Sequence, residues 1–152
     1  MQSQETTGMV RSMSSKVLVI EDDEGAADLM LAILRKEGLD VEYSSDGKSG
    51  YEKAKIKTPD LVIVDLMLPR MHGYEVIERL REDAKFKDIP ILVVSSKSYT
   101  QDQEGALDAG ATEFLTKPYD IDKFSVLVKK LLGGAGEDGD SKDSDANPSS
   151  PA

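Results

Sequence analysis

The chain has 152 residues, which suits about one ordinary domain, and a formal charge of −10. An acidic chain is poorly suited to holding nucleic-acid phosphate or anionic lipid directly, because that affinity comes mainly from lysine and arginine. The sequence has no cysteine and a single histidine, His72, which excludes disulfides and a cysteine nucleophile and argues against a Ser-His-Asp triad or a multi-histidine metal site. Any chemistry must rest on carboxylates, hydroxyls, lysines and a bound cation.

Neither a membrane span nor a secretory signal is predicted. No apolar run approaches the roughly 20 residues that a transmembrane helix needs. The first fifteen residues lack the apolar stretch of a signal peptide. Together with the absence of cysteine, this pattern favours a cytoplasmic protein.

Composition divides the chain into a domain and two polar ends. Residues 1–15 are mostly small and polar and are predicted to form a flexible leader. Residues 133–152 carry five acidic residues and one lysine, with no side chain that is both larger and more apolar than alanine or proline. They cannot bury enough surface to offset the entropy of ordering, so we expect a disordered acidic tail. The folded domain is therefore predicted over residues 16–132.

Five short strands are predicted along this domain. Three continuous apolar runs rich in β-branched residues indicate strands covered on both faces, and two weaker runs complete the set. In chain order the predicted strands are 17–20, 41–43, 61–64, 91–94 and 112–115.

The segments that separate the strands favour helices. One apolar stripe follows the first strand and stops before Gly38, and another follows the last strand and stops before Gly133. The two stripes are Ala26, Leu29, Met30, Ile33 and Leu34, and Ile121, Phe124, Leu127, Val128 and Leu131. Five strand–helix units with right-handed crossovers predict a doubly wound, parallel α/β sandwich, in which a site lies at the carboxyl ends of the strands.

Carboxylates, hydroxyls and a lysine follow the predicted strands. They are Glu21, Asp22, Asp23 and Glu24 after the first strand, Asp65 after the third, Ser95 and Ser96 after the fourth, and Lys117 after the fifth. Crowded carboxylates need a proton or a cation at neutral pH, and an all-oxygen site with room for water and phosphate suits Mg²⁺. A carboxylate beside Mg²⁺ and lysine is placed to accept a phosphoryl group as an aspartyl phosphate.

These residues resemble the receiver domain of two-component response regulators. Four motifs carry the resemblance, which covers essentially all of residues 16–132. They are Val-Ile-Glu-Asp-Asp ending at Asp23, the stretch from Pro59 to Gly73 around Asp65, Ser95-Ser96-Lys97, and the stretch from Gly110 to Pro118. The resemblance implies a flavodoxin-like (βα)5 fold with a five-stranded parallel sheet in the order 2-1-3-4-5, of the stand-alone, chemotaxis-like single-domain type.

The resemblance also implies roles for individual residues. Asp65 would be the phosphoacceptor, and Lys117, followed by a cis peptide at Pro118, would contact the phosphoryl group. The implied Mg²⁺ ligands are Glu21, Asp22, Asp65 and the backbone carbonyl of Met67. The register within the acidic run stays open, with Asp23 the less favoured ligand.

Three further residues would respond to phosphorylation. The Ser95 hydroxyl and the Ser96 N–H would contact the phosphoryl oxygens, and movement of Ser95 would let Phe114 turn inward as a switch. Phe114 on an edge strand is equally compatible with simple packing. Met67 and Lys97 flank the position of the attacking water, from which we expect slow self-dephosphorylation.

The implied function is phosphorylation-dependent signalling. A histidine kinase or histidine phosphotransfer protein would phosphorylate Asp65, and the face of the fourth helix, fifth strand and fifth helix would then engage a downstream protein. The domain would catalyse only its own phosphoryl transfer and dephosphorylation. No output domain follows residue 132 and the tail is acidic, so DNA binding is not expected.

Three other functions compete with this interpretation. A pseudo-receiver would bind proteins without ever taking phosphate; it is disfavoured because the acidic pair, Asp65, the hydroxyl and Lys117 are all present. An aspartate-based phosphohydrolase generally needs a second aspartate two residues after the nucleophile, where this chain has Met67. A flavin-binding protein of the same fold would need a phosphate-cradling loop in place of the acidic run after the first strand.

Overall fold

Strands and helices alternate along residues 14–97 and 99–133, the part of the chain that the computed structural model describes. The strands are β1 (Lys16–Ile20), β2 (Asp40–Ser44), β3 (Leu61–Val64), β4 (Ile91–Ser95) and β5 (Glu113–Thr116). The helices are α1 (Glu24–Lys36), α2 (Gly47–Lys57), α3 (Gly73–Glu82), α4 (Thr100–Ala109) and α5 (Ile121–Leu131), and a short 3-10 helix (Ala84–Phe86) follows α3. Nearly all of the predicted leader and acidic tail lies outside the described residues.

The five strands form one sheet in the order β2-β1-β3-β4-β5, and every neighbouring pair is parallel. The strand order reverses between β1 and β3, so their carboxyl ends flank the position where ligands bind in sheets of this kind. The predicted (βα)5 fold and strand order are confirmed.

The central strands explain why continuous apolar runs predicted the sheet. All four residues of β3 and all five of β4 are buried, as are the last four of β1. Strand β5 starts one residue later than predicted, and the Thr112 hydroxyl just before it accepts the Ile91 N–H at 3.0 Å.

Strand β2 lies at one edge of the sheet and is less buried than the central strands. The Ser44 carbonyl points toward β1, where it accepts the Glu21 N–H at 3.0 Å. Carbonyls alternate in direction along a strand, so that of Tyr43 points away from β1. It accepts a hydrogen bond from Lys53 Nζ, which lies 2.8 Å away on α2.

Helix α1 buries only Met30 and Leu34 of the apolar stripe that the sequence predicted. Leu29, placed in the predicted stripe, is 43% exposed, and Ala26 and Ile33 are only half-buried. The residues that it buries are Ala27, Met30, Leu31 and Leu34. The predicted stop is confirmed, because Gly38 follows the last turn with a φ of +83°.

Residues up to Pro118 and residues from Tyr119 form two compact units, and the second is described by itself. Asp120 caps α5 by accepting the N–H groups of Asp122 and Lys123. Phe124 and Val128 are its buried residues, whereas Ile121 from the predicted stripe is 50% exposed. Across both units, no helix that the structure describes is long and apolar enough to cross a membrane.

Candidate functional site

The acidic run after β1 divides into two kinds of carboxylate. Glu21 is 1% exposed, and its side chain accepts the Asp23 N–H at 3.1 Å. Asp23 caps α1 instead, accepting the Ala26 N–H at 2.8 Å. A carboxylate in that position stabilises a helix start, since the first N–H groups of a helix have no partner within it. Asp23 is therefore engaged at the helix, while Glu21 and Asp22 face the strand ends.

Asp65 follows β3 and is held by the backbone on both sides. Its N–H donates to the Ile20 carbonyl of β1 at 3.1 Å, and its Oδ1 accepts the Met67 N–H at 3.0 Å. The Gly73 N–H donates to the Leu66 carbonyl at 3.0 Å, and this hydrogen bond closes the loop between the two residues. A Cβ at Gly73 would collide with the Asp65 carbonyl oxygen, so this close approach requires glycine.

Three carboxylates and one ammonium meet at this edge of the sheet. Carboxylate oxygens of Glu21, Asp22 and Asp65 all lie within 4.8 Å of one another. Lys117 Nζ lies 2.6 Å from Glu21 Oε1 and 3.0 Å from Asp65 Oδ2, so it joins β1 to β3. The peptide between Lys117 and Pro118 is cis, as predicted.

Burial and charge act against each other on the ionisable groups of this cluster. Burial raises the pKa of the Glu21 carboxyl, although hydrogen bonds from Lys117 and the Asp23 N–H oppose the rise. Burial alone would lower the pKa of the Lys117 ammonium, but its bonds to Glu21 and Asp65 outweigh that effect and raise it. Lys117 is therefore charged at neutral pH, and its charge offsets part of the negative charge of the cluster.

The predicted residues of β4 and β5 reach the same edge. The Ser95 carbonyl accepts the Lys117 N–H at 2.9 Å, and the fully buried Ser95 hydroxyl oxygen accepts the Lys97 N–H at 3.3 Å. Ser96 follows and is exposed. Phe114 pairs with Val93 in the sheet and packs, half-buried, against the core. This position is compatible with both interpretations of Phe114.

Tyr43 is a neighbour of the cluster that the sequence did not single out. Its hydroxyl donates to the Glu21 carbonyl at 2.8 Å. Burial, followed by the nearby carboxylates of Glu21 and Glu24, raises the pKa of its phenol. A cavity of about 550 Å³ opens beside it, lined by Asp22, Glu24, Ala27, Asp28, Leu31, Tyr43 and Ser45. Sequence reasoning had no signal for Tyr43, because tyrosine is common in edge strands and this one belongs to none of the motifs.

Comparison with known families identifies the arrangement. Residues 17–129 match the model of the response regulator receiver domain. The chain belongs to this family. The predicted family is confirmed, and the receiver domain is a module of two-component signalling proteins.

Curated relatives support the assignment. The DNA-binding dual master transcriptional regulator RpaA of Synechocystis sp. is 38% identical over 117 residues, 77% of this chain and 48% of that protein. The response regulator ArlR of Staphylococcus saprophyticus is 36% identical over 118 residues, 78% of this chain and 52% of that protein. The chain thus spans about half the length of these relatives.

Solved receiver structures have the same fold. The receiver domain of the Francisella response regulator 1452 superposes with a TM-score of 0.74 at 26% identity, covering 80% of this chain and 99% of that one. The shared fold includes the β2-β1-β3-β4-β5 sheet. The carboxyl edge of this sheet carries the acidic cluster.

Proposed function

We propose that this receiver domain accepts a phosphoryl group on Asp65 from a histidine kinase or histidine phosphotransfer protein and then changes a protein-binding face. One observation carries the proposal: Lys117 bridges the buried carboxylates of Glu21 and Asp65, with Asp22 beside them. A buried carboxylate next to a lysine and further acidic groups has the surroundings that phosphoryl transfer to aspartate needs.

The donor groups fit Mg²⁺. Three carboxylates and one ammonium leave two negative charges when all are ionised, which a divalent cation balances. Carboxylate and carbonyl oxygens are the ligands that Mg²⁺ prefers. Glu21, Asp22, Asp65 and the Met67 carbonyl would hold it, and when bound it would neutralise charge on the phosphoryl oxygens.

Asp65 supplies the nucleophile. One carboxylate oxygen of Asp65 forms a bond to phosphorus as the bond between phosphorus and the donor imidazole nitrogen breaks, and the leaving imidazole nitrogen takes up a proton from water. The Met67 N–H on Oδ1 and Lys117 on Oδ2 hold this carboxylate in one orientation. Holding a reactive group in place removes part of the entropic barrier.

The acyl phosphate would be held by residues that already lie at the strand ends. Lys117 pairs with its oxygens, and the Ser95 hydroxyl and Ser96 N–H donate to them. The Ser95 hydroxyl oxygen now accepts the Lys97 N–H, so turning toward a phosphoryl oxygen changes the contacts of the loop that leads to α4. Phosphorylation adds negative charge at Asp65. A contact between Ser95 and that charge can shift an equilibrium between two conformations of the domain.

Output by protein contact is part of the proposal. Helix α4 and strand β5 follow the Ser95 loop, and Phe114 lies on β5. These elements, with the α5 surface predicted from the sequence, are the proposed face for a downstream protein in the cytoplasm. DNA binding is not part of the proposed function of this domain.

The test is the intact mass after incubation with acetyl phosphate, with and without Mg²⁺. Wild type is compared with Asp65→Asn and with the control Asp23→Asn, which keeps an oxygen for the α1 cap. We expect a Mg²⁺-dependent gain of one phosphoryl group in wild type and in Asp23→Asn, and none in Asp65→Asn. Equal gain in all three proteins would identify another acceptor. No gain from acetyl phosphate or from a phosphorylated phosphotransfer protein would favour the pseudo-receiver.

A further inference from the structure

Helix α4 is anchored by little apolar burial. Ala106 is its one buried residue, whereas α1 and α3 bury four each within the described chain. Its N-cap residue, Tyr99, makes no side-chain hydrogen bond to the helix and is 73% exposed. The position of α4 therefore depends on polar contacts more than that of the other helices does.

Two such contacts come from one side of α3. Tyr74 and Arg81 lie about two helical turns apart on α3 and so point in a similar direction. The Tyr74 hydroxyl donates to the backbone carbonyl of Asp102 at 3.2 Å, in the first turn of α4. Arg81 Nε donates to the carbonyl of Gly110 at 2.8 Å, directly after the last turn. Helix α3 thus holds α4 at both ends.

The Arg81 side chain that makes the C-terminal contact is itself held by further hydrogen bonds. Arg81 Nη1 also donates to the carbonyls of Phe86 at 2.8 Å and Lys87 at 3.2 Å, and Nη2 lies 3.4 Å from the Thr112 hydroxyl. Gly110 has a φ of +123°, and a Cβ there would lie 2.5 Å from Arg81 Cγ. A charged fork bonded to four oxygens in so close a fit is a rigid attachment.

The contact at the N-terminal end is weaker. The Tyr74 hydroxyl makes one hydrogen bond, while the ring stacks on His72 with centroids 5.1 Å apart. Gly105 leaves room for that ring, since a Cβ there would lie 3.3 Å from it. Asp102 Oδ2 is buried without a hydrogen-bond partner. Burying an unpartnered carboxylate oxygen costs free energy, which is recovered when the first turn of α4 moves into water.

Tyr74 also connects two loops of the candidate site. It follows Gly73, whose N–H is bonded to Leu66 and whose backbone packs on that of Asp65. The segment that enters α4 on the other side of the contact contains Ser96. The Tyr74–Asp102 bond therefore joins the loop of Asp65 to the start of the helix that follows Ser95 and Ser96.

We propose that α4 is a hinged helix, with Arg81 as the fixed pivot at its C-terminal end and the Tyr74–Asp102 hydrogen bond as a releasable latch at its N-terminal end. Opening the latch moves the first turn of α4 while its last turn stays in place. The hinge is inferred from the contacts of the unphosphorylated protein. Its coupling to phosphorylation rests on the proposed function.

Amide hydrogen exchange of the full chain, followed by mass spectrometry without a phosphodonor, tests the hinge. Wild type is compared with Tyr74→Phe, which keeps the ring and loses the hydroxyl, and with the control Tyr51→Phe on α2. We expect Tyr74→Phe to raise exchange of the Asp102 and Gln103 amides, which donate to the Tyr99 carbonyl, by about three- to tenfold. The Gly110 and Ala111 amides should stay unchanged, and Tyr51→Phe should change neither set.

The pattern of exchange decides the result. A general loss of stability would raise exchange across the sheet as well, so a rise confined to the first turn identifies a latch. No change, or an equal rise along α4, would overturn the hinge. In a second comparison, acetyl phosphate with Mg²⁺ should raise exchange of the same amides in wild type and add little in Tyr74→Phe; the opposite result would overturn the coupling. Failure to phosphorylate at all would count against Asp65 and leave the first comparison valid.

Discussion

The ammonium nitrogen of Lys117 lies 2.6 Å from Oε1 of Glu21, a side chain that is 1% exposed. The two residues are 96 positions apart in the sequence, so the bond ties the last strand of the sheet to the first. Because Asp65 accepts from the same ammonium at 3.0 Å, one lysine compensates two buried carboxylates. Any change to Lys117 therefore acts on stability as well as on chemistry.

Replacing Lys117 with methionine should destabilise the protein by about 3–5 kcal/mol, because it leaves buried carboxylates without their cation. The free energy of unfolding from urea denaturation measures the loss. Added Mg²⁺ should raise the stability of Lys117→Met more than that of wild type, since the metal replaces the missing positive charge. The exposed Lys123 provides the control, and Lys123→Met should change stability by less than about 0.5 kcal/mol. A Lys117→Met protein as stable as wild type would contradict the role of the ion pair.

Two glycine substitutions should have opposite effects on stability. Gly73→Ala places a Cβ against the Asp65 carbonyl and 2.7 Å from the Leu66 Cα, so we expect a loss of about 1–3 kcal/mol. Gly25→Ala on α1 meets nothing nearer than Asp23 Oδ2 at 3.6 Å and should stabilise the protein by about 0.5–1 kcal/mol through helix propensity. Thermal unfolding of the two variants beside wild type measures both effects. A Gly73→Ala protein as stable as wild type would show that the Gly73 contact relaxes freely, and a loss of stability in Gly25→Ala would contradict the expected helix stabilisation.

The cap of α2 should make stability depend on pH in the acidic range. Asp46 accepts the Ser49 N–H at 2.8 Å, and this bond holds the pKa of its carboxyl below the usual 3.8. Folding favours the charged form of the Asp46 carboxyl. Its contribution to stability is therefore complete above pH 3.8 and is lost as the pH falls through the lower pKa of the folded state. Asp46→Ala should therefore cost about 1 kcal/mol at neutral pH and less in acid. Urea denaturation across the acidic range, with Asp46→Asn as a control that keeps an acceptor, tests the trend; a pH-independent cost would contradict it.

The phosphorylated protein should lose its phosphoryl group slowly. Met67 is 50% exposed and Lys97 is exposed. The resemblance to receiver domains implies that these two positions flank the attacking water, where an apolar and a long cationic side chain would hinder it. Phosphoprotein remaining after removal of the phosphodonor gives the lifetime. Met67→Asn, whose amide can hold a water, should shorten it, while the apolar control Met67→Leu should leave it similar. A wild-type lifetime of only seconds would refute this expectation.

Sequence reasoning predicted the sheet because the central strands are buried on both faces and so are apolar, apart from Lys16 at the start of β1 and Ser95 at the end of β4. It also predicted the cluster of Glu21, Asp22, Asp65 and Lys117, since parallel strands bring their carboxyl ends to one edge. The register of the acidic run stayed open in the sequence, because Asp23 is distinguished only by the helix start that it caps.

Other features had no sequence signal. The apolar residues of α1 allow more than one inward face, and packing rather than periodicity leaves Leu29 in solvent. The Tyr43 hydroxyl on the Glu21 carbonyl and the contacts of Tyr74 and Arg81 with α4 are tertiary hydrogen bonds between single side chains and distant backbone. Such bonds follow no spacing rule in the sequence and are seen only in the folded structure.

Lys53 of α2, which bonds to the edge strand β2, affects how copies of this protein can associate. An exposed edge strand offers unpaired backbone groups onto which a strand of another molecule can add, which leads to aggregation. Lys53 already occupies the outward carbonyl of Tyr43, at 2.8 Å. An incoming strand would have to displace a charged side chain to pair there. The β2 edge is thus protected at Tyr43 against sheet extension.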